Sequence, residues 1–331
     1  MSLKTGQKSP LKFNMSKNKK KFKQRIISSL IVLLLNLIKN IPLPLSRKVA
    51  ICFAFLAYCF YPRIRRDGHK NIEYAFGNTI NKKEKKKILW NATKNMFLVA
   101  FEFPHIPAMA ENKYEGIAYY KGVEYIDGYL KKKQGALFIS AHLGNWEMMA
   151  SLMCSYGYPV AEIVREFDNP KLNEIINSIR TNAKIKTIPK DSSANEIIHL
   201  IKNGWFVGLL IDQSPRDNGV PAKFFDKPCW ATIGPAYIYA RTKAPVHPVS
   251  MIRNSNGTLL LEILPPLEMV NTGNLQHDIL ENTQICQKAI ENIVRKYPEQ
   301  WLWFHRRWKE RERLKDYWEK RLQRKKSNNI E

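Results

Sequence analysis

The sequence predicts an α/β protein in which a mostly parallel sheet is covered by helices and preceded by an N-terminal helical membrane anchor. Three observations carry this. After Gly135, short apolar runs alternate with segments of helical period, the rhythm of strand–helix–strand units. The runs are apolar on both faces, as in strands buried between helix layers. Two longer apolar stretches, Ile26 to Ile38 and Val49 to Tyr61, follow a basic N terminus and are separated by Pro42 and Pro44.

Residues 1–25 hold nine Lys/Arg and no acid, a composition that reads as a solvated, disordered tail. Each apolar run spans 13 residues, short of the ~20 that cross a bilayer as one helix. No small-residue cleavage site follows the first run, so a removed signal peptide does not fit. The segment 26–66 therefore reads as an anchor, either one tilted span or a helical hairpin lodged in one leaflet. Two ordinary core helices are the alternative. The cations before the anchor predict a cytoplasmic N terminus, and Arg63, Arg65 and Arg66 would meet lipid headgroups.

Residues 67–310 read as the main domain. Leu89, Trp90, Thr93, Met96, Phe97 and Ala100 lie at helical spacing within 82–111. Strands are expected at Ala136–Ile139, Val160–Val164, Ile185–Ile188, Trp205–Ile211, Val246–Ile252 and Leu259–Ile263. Helices are expected over Trp146–Met153, from Asn169-Pro170 to Asn182, over Ala194–Lys202, and from about Ile279 to Arg295. Residues 311–331 read as a basic C-terminal helix or tail, with Leu314, Trp318 and Leu322 on one face.

The chain carries 54 Lys/Arg against 29 Asp/Glu, a formal net charge of +25. Such a field attracts an anionic membrane, an acidic protein or nucleic acid. The charge concentrates at the termini and is not interleaved with aromatics on one platform, which argues against nucleic acid. Cys52, Cys59, Cys154, Cys229 and Cys286 form no C-x-x-C and no metal-ligand spacing. They read as reduced thiols in a cytosol-facing protein, and neither a metal nor a cofactor is implied.

The candidate chemistry lies in Ser140-Ala141-His142-Leu143-Gly144-Asn145-Trp146-Glu147. A buried strand ends at a small-residue pair and delivers a histidine, the side chain best suited to take a proton near neutral pH. Glu147 follows across a Gly-Asn turn, and a carboxylate on the far ring nitrogen would fix the tautomer and stabilise the imidazolium. No serine or cysteine nucleophile stands beside it, so the pair would activate a substrate hydroxyl for acyl transfer. Spacing alone is weak, because His305 and Glu310 repeat it among cations and aromatics with no turn signal. His142 and Asp212 both fall at carboxyl ends of strands, where ligands sit in such sheets.

Several stretches then resemble one family in the same order. His142-Leu-Gly-Asn-Trp-Glu147 resembles the active-site block of the bacterial lipid A late acyltransferases, the lauroyl/myristoyl transferase type. Arg165-Glu-Phe-Asp-Asn-Pro170 looks like the second block. Asp212-Gln213 with Val220 to Pro228 is similar to the third, and Pro298 to Lys309 resembles the C-terminal signature. The resemblance covers roughly 45–310. Ala183 departs from it, standing where a glycine often follows the helix arginine, here Arg180.

The resemblance implies an acyltransferase-like fold and an enzyme on the cytoplasmic face of the inner membrane. It would move a fatty acyl chain from an acyl carrier protein thioester to a hydroxyl of a phosphorylated lipid A precursor. His142 would be the general base and Glu147 its orienting acid. The turn amides near Gly144 and Asn145, or Arg165, are candidate oxyanion donors. Asp212 would cap its loop or pair with an arginine to shape the site, and Arg306 and Arg307 would grip acceptor phosphates as forked donors. Another lipid acceptor, such as a lysophospholipid, is the alternative. A non-catalytic basic membrane- or nucleic-acid-binding protein is the reading from a different class.

Overall fold

The computed structural model describes residues 26–164, 167, 169–189, 192, 194–217 and 219–328. The basic tail and Arg165 lie outside the described residues. Helix α1 (Ile26–Ile38) is followed by α2 (Leu43–Phe60), which has Pro44 in its first turn, where a missing N–H costs nothing. Helix α2 is 18 residues long with mean hydropathy 1.5. It is longer than the apolar run because Leu43 to Lys48 join it. Its buried residues are Ser46, Ala50 and Ala54, a four-residue repeat that makes one narrow stripe of small side chains. Ile51, Phe53, Phe55, Leu56 and Phe60 are exposed.

Helix α3 (Pro62–Phe76) runs through residue 66 without a break. Helix α4 (Lys82–Glu102) starts at a capping box, in which Asn81 accepts from the Glu84 amide and Glu84 from the Asn81 amide, both at 2.9 Å. The helical segment expected over 82–111 is interrupted where Pro104 and Pro107 remove donors. A 3₁₀ turn at Phe103–His105 leads into α5 (Ile106–Glu111).

The remaining elements alternate: β1 (Ala118–Lys121), α6 (Asp127–Lys131), β2 (Ala136–Ser140), α7 (Met148–Ser155), β3 (Val160–Val164), α8 (Pro170–Asn182), β4 (Lys186–Pro189), α9 (Ala194–Lys202), β5 (Phe206–Leu210), β6 (Gly219–Phe224), β7 (Lys227–Thr232), α10 (Gly234–Thr242), β8 (Val246–Arg253), β9 (Leu259–Ile263), α11 (Leu275–Lys296) and α12 (Glu312–Asn328). Seven strands form one sheet in the order β1-β9-β8-β2-β5-β3-β4, and β6 and β7 form a separate ribbon. Within the seven-stranded sheet pairing is parallel except between β8 and β9, so the mostly parallel sheet expected from the sequence is present.

Strand β2 is central and buried throughout. Leu137 and Ile139 pack with Ile290 and Val294 of α11, whereas Ala136 and Phe138 pack with Met148 and Leu152 of α7. Each fully buried Leu, Ile or Phe contributes roughly 1.5–3 kcal/mol, so the strand that delivers His142 is among the most firmly held. In the register, Ser140 lies opposite Leu210. The two residues beyond each strand end, His142 and Asp212, therefore arrive side by side.

Candidate active site

The acid on His142 is Asp212. His142 Nδ1 donates to Asp212 Oδ1 at 2.8 Å, and the His142 amide donates to Oδ2 at 3.0 Å. Trp301 Nε1 donates to the same Oδ2 at 2.8 Å. Asp212 is fully buried while the His142 side chain is 22 % exposed. A carboxylate only accepts, so Nδ1 carries the proton and Nε2 keeps its lone pair. Burial works against charging the imidazole, but the charge and hydrogen bond of Asp212, with the field of Glu147, overcome it and hold its pKa above the ordinary value. Burial likewise disfavours charge on Asp212, yet His142 and Trp301 hold its carboxyl well below the usual carboxylate range.

A base must be neutral to accept a proton, and a raised pKa keeps His142 charged to higher pH. The acid limb of kcat/KM is expected to titrate above the ordinary histidine value of 6.5, measured as a pH–rate profile, and to move down when Asp212 is replaced.

From the sequence, Glu147 is expected to orient His142; the structure corrects this. Glu147 accepts from Trp146 Nε1 at 3.1 Å and from Arg180 Nη2 at 2.9 Å. Arg180 Nε lies 2.8 Å from Glu162 Oε1, although the N–H is not aimed at that oxygen. Burial and the neighbouring Glu147 carboxylate push the Glu162 carboxyl up to about 7 against the pull of Arg180. The Gly-Asn turn thus carries Glu147 into a separate charged group, and acts on His142 through its field alone.

The turn amides are corrected as well. The Gly144 amide donates to Gln300 O at 3.1 Å and the Asn145 amide to Met251 O at 2.8 Å, so neither is free for an oxyanion. Gly144 has φ +61°, and an added Cβ would lie 1.8 Å from Met251 O. No other residue fits there. Asn145 is fully buried; its side chain donates to Glu102 Oε2 at 2.6 Å and accepts from the Met148 amide.

Arg307, expected to grip an acceptor phosphate, lies in the core. It is fully buried, donating to Trp230 O and Gln287 Oε1, both at 2.6 Å, with Cys229 Sγ at 3.0 Å and the Phe224 ring centroid 4.9 Å from its guanidinium. Arg306 is exposed. Together with Arg66 and Arg63 it lowers the Asp67 carboxyl, Arg66 most strongly through its hydrogen bond, so Arg306 belongs to a basic surface shared with α3. Arg165 lies outside the described residues.

Three participants have no independent signal in the sequence. Trp301 is hidden among other aromatics. His305, one half of the repeated spacing, packs edge-on to Trp301 with centroids 4.9 Å apart and places Nε2 3.2 Å from the Asp212 carbonyl, while Glu310 is exposed. Gln213 Nε2 stands 3.4 Å from both ring nitrogens of His142, a position predictable only from its place after Asp212.

His142 opens on a cavity of about 260 Å³. Phe138, Met149, Met153, Val160 and Val249 line it with apolar surface, and Glu147, Glu162 and Arg180 form a charged part of its wall. Gly208 also lines it; a Cβ there would meet nothing nearer than 3.9 Å. Among the described residues, no group of three or more His, Cys, Asp or Glu is arranged to hold a metal ion. The arrangement can take a proton from a hydroxyl beside an apolar cavity.

Three similarities to known proteins were found. The family model described as bacterial lipid A biosynthesis acyltransferase matches residues 15–310. A curated relative, lipid A biosynthesis acyltransferase 2 of Shigella flexneri, is 23% identical over 233 residues, covering 63% of this chain and 68% of the relative. The crystal structure of the 1-acyl-sn-glycerophosphate acyltransferase of Thermotoga maritima aligns over 76% of this chain and 98% of its own, with 14% identity and a TM-score of 0.34.

Proposed function

The chain belongs to the bacterial lipid A biosynthesis acyltransferase family, and from that premise we propose that His142 is the general base for transfer of a fatty acyl chain from an acyl carrier protein thioester to a hydroxyl of a lipid A precursor. The observation that carries this is the His142–Asp212 pair at the wall of a cavity with a largely apolar lining. Nε2 takes the hydroxyl proton as the oxygen attacks the thioester carbonyl, forming the new C–O bond. The tetrahedral intermediate collapses with loss of the C–S bond, and the departing thiolate takes the proton back from the imidazolium. With the Gly144 and Asn145 amides committed elsewhere, the Gln213 amide beside His142 Nε2, or Arg165, is the donor for the oxyanion. Glu147 stabilises the imidazolium through its field.

The acyl chain occupies the cavity. Gly208 lines the cavity without a side chain, so Gly208→Leu is expected to shift the preferred donor to shorter chains, read by competition among thioesters of graded length. The basic protein surface suits an acidic carrier protein, and exposed Arg306 suits an acceptor phosphate. The exposed apolar side of α2 supports anchoring at the inner membrane with the site on the cytoplasmic face.

The test is acyl transfer by the detergent-purified protein from carrier-protein or coenzyme A thioesters to a lipid A precursor or a lysophospholipid, followed by mass spectrometry. Transfer from the carrier protein to the lipid A precursor, abolished by His142→Ala, is expected. Full activity in that variant would sink the mechanism, and preference for coenzyme A or the lysophospholipid would overturn the donor or the acceptor.

A further inference from the structure

Glu102 is the last residue of α4, where a negative charge opposes the helix dipole, so its helix does not account for it. The side chain is fully buried. Arg47 Nε of α2 donates to its Oε1 at 2.6 Å. Arg253 of β8 grips it with two nitrogens, at 2.7 and 2.6 Å. Asn145 Nδ2 completes the set at 2.6 Å. One carboxylate thus joins the exposed apolar helix α2, the C-terminal end of β8 and the turn that follows His142.

Each connection continues into the site. The Asn145 side-chain oxygen accepts from the Met148 amide at the start of α7. The Arg253 amide donates to Gln300 Oε1, and the Gln300 carbonyl accepts from the Gly144 amide. Asn95, also on α4, donates to the Gly144 carbonyl at 2.8 Å. The His142 carbonyl accepts from the Leu302 amide. A second tie, Ser46 Oγ donating to the Phe101 carbonyl at 3.0 Å, holds α2 beside Arg47. A buried charge with several partners strongly penalises removal of any one of them.

We propose that Glu102 is a positioning residue through which the apolar helix α2 sets the catalytic turn, Arg47 carrying the position of that helix to Asn145. This rests on the reading of His142 as the base and of α2 as the anchor. Because α2 is exposed on its apolar side, its seating and the geometry of the turn become one equilibrium, and a shifted turn pulls His142 off Asp212.

The experiment compares full-length wild type with Arg47→Ala, Arg47→Lys and Glu102→Gln in the same detergent. Arg47→Ala is expected to lower kcat about tenfold with KM unchanged, as a small displacement of a catalytic group does. Its acid limb should move down towards the ordinary histidine value, Arg47→Lys should recover most of the loss, and Glu102→Gln should lose more. Amide hydrogen exchange of residues 142–148 reads the coupling without substrate and should quicken in Arg47→Ala but not in Arg47→Lys. Exchange that quickens only within α2, or a kcat loss that matches a fall in folded protein with an unchanged pH profile, would overturn the proposal. If the wild type transfers no acyl chain, the functional reading fails, while the exchange result still decides the coupling.

Discussion

Asp212→Asn is expected to lower kcat by roughly 10⁴-fold while leaving the fold intact, the scale seen when a histidine base loses its tautomer-fixing acid. Asp212 Oδ1 accepts from His142 Nδ1 and Oδ2 from the His142 amide and Trp301. An amide in its place is nearly isosteric, but one of its two ends must donate. If that end faces Nδ1, the ring proton moves to Nε2 and no lone pair is left for the substrate hydroxyl. Single-turnover acyl transfer at saturating acceptor measures the loss, with circular dichroism as the control for folding. A loss under tenfold would mean that Asp212 only caps the strand end. Glu147→Gln, which leaves the His142–Asp212 contact untouched, should cost less than Asp212→Asn.

The second large effect is on stability. Arg307→Ala removes a fully buried guanidinium and leaves Gln287 Oε1 and the Trp230 carbonyl without their donor. Leaving two buried acceptors unpaired costs about 1–3 kcal/mol each, a fall in Tm on the order of 10 °C for a domain of this size. Thermal unfolding in detergent checks it. Were Arg307 a phosphate ligand instead, the same change would raise the acceptor KM and leave Tm alone. Arg306→Ala is expected to behave in that second way, since Arg306 is exposed beside α3. The adjacent pair thus separates into one residue for the core and one for the surface.

Much of the fold is legible in the residues. The runs at Val160–Val164 and Leu259–Ile263 are strands as their apolar character requires, and Asn169-Pro170 starts a helix because Asn169 accepts from the Leu172 amide. Strand β6 is not legible, since Pro221 sits inside it. It is tolerated because β6 and β7 form a ribbon of two strands, where a missing donor on the open side disturbs no ladder. Strand β1 is short and mostly exposed, so no hydrophobic run marks it.

The place of His142 just beyond a strand end is legible for a local reason: the apolar run of β2 must stop, and it stops at Ser140. The family is legible too, from four blocks in one order, and it is the family to which the chain belongs. The partner of His142 is decided only in three dimensions. Two neighbouring parallel strands in register, with Ser140 opposite Leu210, bring residues 70 positions apart to hydrogen-bond distance, while the positive φ of Gly144 carries the nearer acid elsewhere. Arg306 and Arg307 divide between solvent and core for the same reason. Sequence sets which chemical groups lie at strand ends; the packing of one element on another determines which of them meet, because hydrogen bonds act over about 3 Å and chain distance does not measure that.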